Sequence, residues 1–108
     1  MAKNTAPNKH IRIGLVDSGY GHPRISPIDT NRVTAETAFI WQDEQLQQCD
    51  SCRDSLGHGS ALIKAIADQA PKAEFAVAQI FRERLTTTSI QVAAAVDWLV
   101  EQQVALIN

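Results

Sequence analysis

The sequence predicts an α/β domain: a parallel sheet with flanking helices. Three observations carry that reading. Apolar, β-branched segments alternate with stretches of helical period, in the order strand, loop, helix, strand, helix, strand. The central apolar segment is nearly unbroken, as expected of a strand covered on both faces. The stretches joining the later strands carry helix start or stop signals, so they read as right-handed crossovers between parallel neighbours.

Residues 1–10 are polar and are expected to form a flexible amino terminus; residues 11–108 form the folded part. Residues 11–16 are apolar apart from Arg12 and Gly14 and are cut off by Asp17-Ser18-Gly19, which marks a strand ending in a tight turn. Glycines and prolines then punctuate a loop to about residue 32, and residues 33–41 suit a weakly defined strand. Residues 42–56 are polar and read as surface loop. From His58 the period changes: Ala61, Leu62, Ala65, Ile66 and Ala70 recur at helical spacing until Pro71 forbids continuation. Residues 74–81 form the buried strand, and residues 82–88 a loop. Thr88-Ser89-Ile90-Gln91 matches a capping box, after which Val92, Val96, Leu99 and Gln103 mark one helix face. Residues 104–108 begin another buried-looking strand.

Composition narrows the function. With 108 residues, 44% hydrophobic and 20% charged, the chain falls among globular proteins, as one small domain or part of a larger one. A net charge of −2 without a basic run argues against nucleic acid as a partner. No apolar run approaches the roughly 20 residues of a membrane helix, and the start lacks the apolar core of a secretory signal. The expectation is a cytoplasmic protein with no membrane partner. Cys49 and Cys52 are spaced C-x-x-C; a zinc site normally takes four ligands, so the pair reads as reduced loop thiols.

The chemistry gathers at Asp17 and His58. Function in parallel sheets collects at the carboxyl ends of the strands, where Asp17, the loop after Phe81 and Asn108 all fall. An acid at a strand end and a glycine-flanked histidine opening a helix suit the orienting and base roles of nucleophilic catalysis. Other readings have weaker support. Phosphatases of the aspartyl-phosphate type want a second aspartate where Gly19 stands, and a G-x-G-x-x-G phosphate loop fails at Arg24. In the blandest reading, Asp17 closes a turn and His58 caps a helix. His22 reads as a packed loop residue, Ser60 as structural, and Trp41 and Trp98 as core or half-buried residues.

Val16-Asp17-Ser18-Gly19 resembles the aspartate motif of the subtilisin-like serine peptidases, and Gly57-His58-Gly59-Ser60 resembles their histidine motif, with serine for the usual threonine. His22-Pro23, Ala70-Pro71-Lys72-Ala73 and residues 104–108 are similar to further family segments in the same order, so the resemblance spans residues 11–108. It implies a serine-type endopeptidase working through an acyl-enzyme, with Asp17 and His58 catalytic and a peptide or protein as substrate. The family's oxyanion asparagine and serine nucleophile come later than the segment matching residue 108. The chain is therefore expected to be the amino-terminal portion of the domain, partnered by the missing carboxyl-terminal part and inactive alone. The alternative expectation is a non-catalytic interaction module or one piece of a split protease. Residues 82–88 depart from the pattern in lacking the glycines that often line the wall for extended substrates. The short lead-in before Ile11 is similar to that of compact intracellular members. No cofactor is implied; some relatives hold calcium, but the spacing of the acids in residues 42–54 does not demand it.

Overall fold

Ile13 and Leu15 point to one side of the first strand, Gly14 and Val16 to the other, and this alternation organises the molecule. The computed structural model describes residues 11–108; the expected flexible segment 1–10 lies outside the described residues. The elements are β1 (Arg12–Asp17), β2 (Val33–Gln42), β3 (Gln45–Cys49), α1 (His58–Gln69), β4 (Glu74–Gln79), α2 (Ser89–Glu101) and β5 (Leu106–Ile107), with a single 3-10 turn at Thr30–Arg32. One five-stranded sheet runs in the order β3-β2-β4-β1-β5.

Each face of the sheet carries one helix. Ile13 and Leu15 of β1 join Phe75 and Val77 of β4 in a core with Ile63 and Ala67 of α1. The intervening Ala76 and Ala78 pack with Phe39 and with Ala95 and Leu99 of α2, beside Val16. Gly14 on this second face lets Leu99 pack close, since a Cβ there would lie 3.0 Å from a Leu99 methyl and push it aside by a few tenths of an ångström. The period of two puts Asp17 on the α1 face, the face from which His58 approaches.

The expected α/β class holds, with corrections. The sheet is mixed: β1 pairs with β4 and β5, and β2 with β4, all in parallel, while β3 runs antiparallel to β2. Residues 42–56 are thus not all loop. A hairpin turns at Asp43 and Glu44, both left-handed with φ of 54° and 59°, and returns as β3. That strand hides from pattern reading because it is a sheet edge: Gln45-Leu46-Gln47-Gln48 faces solvent and needs no apolar alternation.

The helix faces are partly rotated from the expected ones: Leu99 is buried as expected, and Leu62, Ile66 and Ala70 pack partly buried against the α1-side core. In α1 the buried positions are Gly59, Ser60, Ile63 and Ala67, while Ala61 and Ala65 are exposed. In α2 they are Gln91, Ala95 and Leu99, while Val92 is exposed. Alanine and valine suit either face of a helix, so apolarity alone does not fix the seam. β4 stops at Gln79 rather than 81: the Ile80 amide makes the last ladder bond, to the Asp17 carbonyl at 2.9 Å, and the Phe81 amide turns onto that same oxygen at 3.4 Å instead of continuing along a strand. The last strand, expected to be buried, is two residues long and lies at the sheet edge. Leu106 and Ile107 are 52% and 38% exposed there, since within the described residues only β1 pairs with it.

Candidate active site

The turn after β1 and the first turn of α1 are in backbone contact. Gly19 holds φ of +98°, and a Cβ on Gly59 would stand 2.2 Å from the Gly19 carbonyl oxygen, so only glycine lets α1 sit this low. The Gly59 amide then donates to Ser18 Oγ at 2.8 Å. His58 precedes that contact by one residue and is carried onto Asp17. Its Nδ1 lies 2.8 and 2.9 Å from the two carboxylate oxygens.

The pair is asymmetric in its surroundings. The Asp17 side chain is 7% exposed and that of His58 54%. Asp17 Oδ1 also accepts the Ser18 amide at 2.7 Å, which fixes the carboxylate plane. A carboxylate at Nδ1 selects the tautomer with its proton there, leaving the Nε2 lone pair as a proton acceptor. Both residues expected to carry chemistry therefore meet, on the strand-end rim where such sites gather.

A second carboxylate holds the arrangement together. Asp54, with no exposed surface, accepts the amides of Leu56 and Gly57 on Oδ1 at 3.0 and 2.9 Å. Its Oδ2 accepts the Ser60 amide at 3.0 Å and the Ser60 hydroxyl at 2.6 Å. The N-cap position of α1 is Gly57, which has no side chain to offer, so Asp54 supplies the cap from three residues upstream. Burial pushes this carboxyl up, but the hydrogen bonds from Ser60, from the Gly57 and Ser60 amides and from the Ser18 hydroxyl outweigh it and leave the group below its ordinary value. Ser60 gives its proton to Asp54 and accepts the His22 amide at 3.0 Å, so its hydroxyl is fully engaged as a structural group. His22 is partly buried in its loop and accepts the Arg24 amide on Nδ1 at 3.1 Å.

Gln79 completes the scaffold. This buried side chain donates from Nε2 to the carbonyls of Ser18 and Cys52, both at 2.9 Å, and accepts the Cys52 amide on Oε1 at 2.9 Å. It ties the end of β4 to the turn after Asp17 and to the segment before Asp54. Sequence reading missed Asp54 and Gln79, though each left a signal. Gln79 is a lone amide in an apolar strand, and a buried amide must find partners; Asp54 stands three residues before a glycine at a helix start.

Next along the rim, Ile40, Trp41, Gln42, Ile80, the loop after it and the start of α2 border a shallow, open groove of about 620 Å³. Its floor is pinned by Gln91, whose Nε2 donates to the Phe39 carbonyl at 2.8 Å and the Ile80 carbonyl at 3.4 Å. The loop is joined to the histidine side by a hydrogen bond from the Ser55 hydroxyl to the Arg82 carbonyl. Trp41 is 42% exposed beside this groove, whereas Trp98 packs half-buried against the α2-side core.

Behind the rim, Tyr20 hydrogen-bonds to Glu36; burial first, and then that bond and the carboxylate's charge, push its phenol up to about 12. Cys49 and Cys52 are free thiols, with an Arg82 Nη2 3.3 Å from Cys49 Sγ. Among the described residues no three histidine, cysteine or acidic side chains are grouped to hold a metal ion, and no helix is long and apolar enough to cross a membrane. Set against protein-family models, curated proteins and solved structures, the chain finds no match in any of the three.

Proposed function

We propose that Asp17 and His58 are the orienting acid and the general base of a subtilisin-like serine endopeptidase. The observation that carries this reading is the contact of His58 Nδ1 with both oxygens of a buried carboxylate while the ring remains open to solvent. The order of the motifs along the chain supports it. In the reaction, Nε2 of His58 takes the proton of a serine hydroxyl as that oxygen attacks a peptide carbonyl, and returns it to the departing amine. Asp17 holds the ring in the required tautomer and steadies the imidazolium. Ser60 and Ser18 are both committed to the scaffold; the family resemblance implies that the nucleophile and the oxyanion donor lie in later segments than those matched by these 108 residues.

The test takes the coding sequence with whatever frame follows codon 108 and expresses its whole product. That product is expected to hydrolyse a peptide substrate and to form a serine adduct with a fluorophosphonate. Asp17→Asn should lower kcat by about 10⁴-fold, the order found for the same change in another serine-peptidase triad, while circular dichroism stays the same. Near-normal turnover in Asp17→Asn would refute the assigned role.

A further inference from the structure

The groove at the same end of the sheet as the pair, but on the α2 face, carries positive charge at three points. Arg82 and Arg84 line it, and α2 begins at its wall, presenting the positive end of the helix dipole. Glu83 is the single acid in the lining. Arg82 is fixed in place: its Nη2 donates to the Asp50 carbonyl at 2.9 Å and reaches Cys49 Sγ at 3.3 Å. Its Nε is buried and has no partner, a position that in a folded protein calls for an acceptor. Arg84 is exposed, and none of the ion pairs found among the described residues uses it. Ile40, Ile80 and the half-exposed indole of Trp41 supply an apolar floor between these charges.

We propose that this groove is a binding site for an extended peptide bearing an acidic side chain, with Arg84 and Arg82 as its selectivity residues. The proposal rests on the peptidase reading for the kind of ligand, and takes its charge preference from the lining alone. A ligand carboxylate that reaches the exposed Arg84 guanidinium receives charge-assisted hydrogen bonds, the fixed charge of Arg82 adds to the attraction, and an apolar neighbour covers Trp41. The occupant lies on the same rim as the catalytic pair, because the Ile80 amide at the groove's start donates to the Asp17 carbonyl at 2.9 Å. The hairpin formed by β2 and β3 gives the groove its outer wall through Trp41, so the specificity is built beside a segment whose sequence pattern reads largely as loop.

The experiment needs no turnover. Three blocked hexapeptides, identical but for a central Glu, Gln or Lys, are titrated into the 108-residue chain at low and at high salt. Binding is followed by indole fluorescence in a Trp98→Phe background and by amide shifts of residues 82–88. The Glu peptide is expected to bind about tenfold more tightly than the Gln peptide, the Lys peptide most weakly, and the preference should shrink with salt. Arg84→Glu, an exposed change outside the catalytic pair, should reverse the order. Equal binding of the three peptides, binding of none, or shifts confined to other parts of the molecule would overturn the proposal. A charge preference that persists when the whole product makes no fluorophosphonate adduct sinks the peptidase reading alone. Normal turnover with no charge preference sinks this one alone.

Discussion

Two connections run from a strand end to a helix start on the same rim, and they are secured by opposite means. Residues 50–57 lead into α1 through buried groups: Asp54 accepts hydrogen bonds from three amides and from the Ser60 and Ser18 hydroxyls, Gln79 clamps Cys52, and Gly59 lies against the Gly19 backbone. Residues 80–88 lead into α2 largely at the surface. There a capping box closes the helix, with the Gln91 amide donating to Thr88 Oγ1 at 3.1 Å and the Thr88 amide donating to Gln91 Oε1 at 3.0 Å. The first connection fixes the Asp17–His58 pair to within a hydrogen-bond length. The second leaves charged side chains open at a groove. Under the proposed function, rigidity falls where the imidazole would be aimed, and exposure where a ligand would be chosen.

The largest effect should come from Gly59→Ala. The new Cβ would stand 2.2 Å from a backbone oxygen that Gly19's own tight turn holds in place, so α1 must lift from the rim. We expect a loss of more than about 3 kcal/mol in urea unfolding, or no folded protein at all. A cost near that of an ordinary surface change would show that the helix does not sit on the turn.

Asp54→Ala comes next. It strips the acceptor from three amides and from the Ser60 and Ser18 hydroxyls at a fully buried position, an expected cost of about 3–5 kcal/mol by urea unfolding. The pH dependence has a definite sign. The folded carboxyl lies below its unfolded value of about 3.9, so its contribution is present above that pH and is lost as pH falls through the folded value. Asp54→Asn should flatten this acid limb of the stability profile. If the profiles of the wild type and of Asp54→Asn run parallel below about pH 4, Asp54 is not the acid that anchors the helix.

How much of this is legible in the sequence follows from the same contrast. Asp17 and His58 stand out because each combines a chemical group with a break in local pattern, one ending an apolar run and the other opening a helical period between glycines. Thr88 and Gln91 are readable because a capping box lies within four consecutive residues. Gln79 acts through partners up to 61 residues away, and no local period encodes such a bond; the amide partners of Asp54 lie two to six residues on, but it caps α1 from three residues before the N-cap, where no standard cap pattern looks for it. The β3 edge is hidden for a different reason: a polar strand facing water shows no alternation, and its pairing depends on left-handed Asp43 and Glu44 rather than on an Asn-Gly turn signal. The helix faces are partly misplaced because alanines on both sides of α1 and α2 leave the seam to be set by Leu99 meeting Gly14 and Ile63 meeting the β1 face.

The smallest effect should come from the other connection. Thr88→Ala removes the acceptor for the Gln91 amide at the part-buried start of α2, one cap bond at a helix end. We expect about 1 kcal/mol in urea unfolding, roughly a third or less of the Asp54→Ala cost. The Nδ1 proton resonance of His58 should not move, since no hydrogen bond of the pair or of Asp54 reaches Thr88. The Gln91 side chain should keep its bonds to the Phe39 and Ile80 carbonyls, so the groove floor stays in place. A displaced His58 resonance, or a cost equal to that of Asp54→Ala, would mean that the two connections form one cooperative unit and that the division between an aimed pair and an open groove is false.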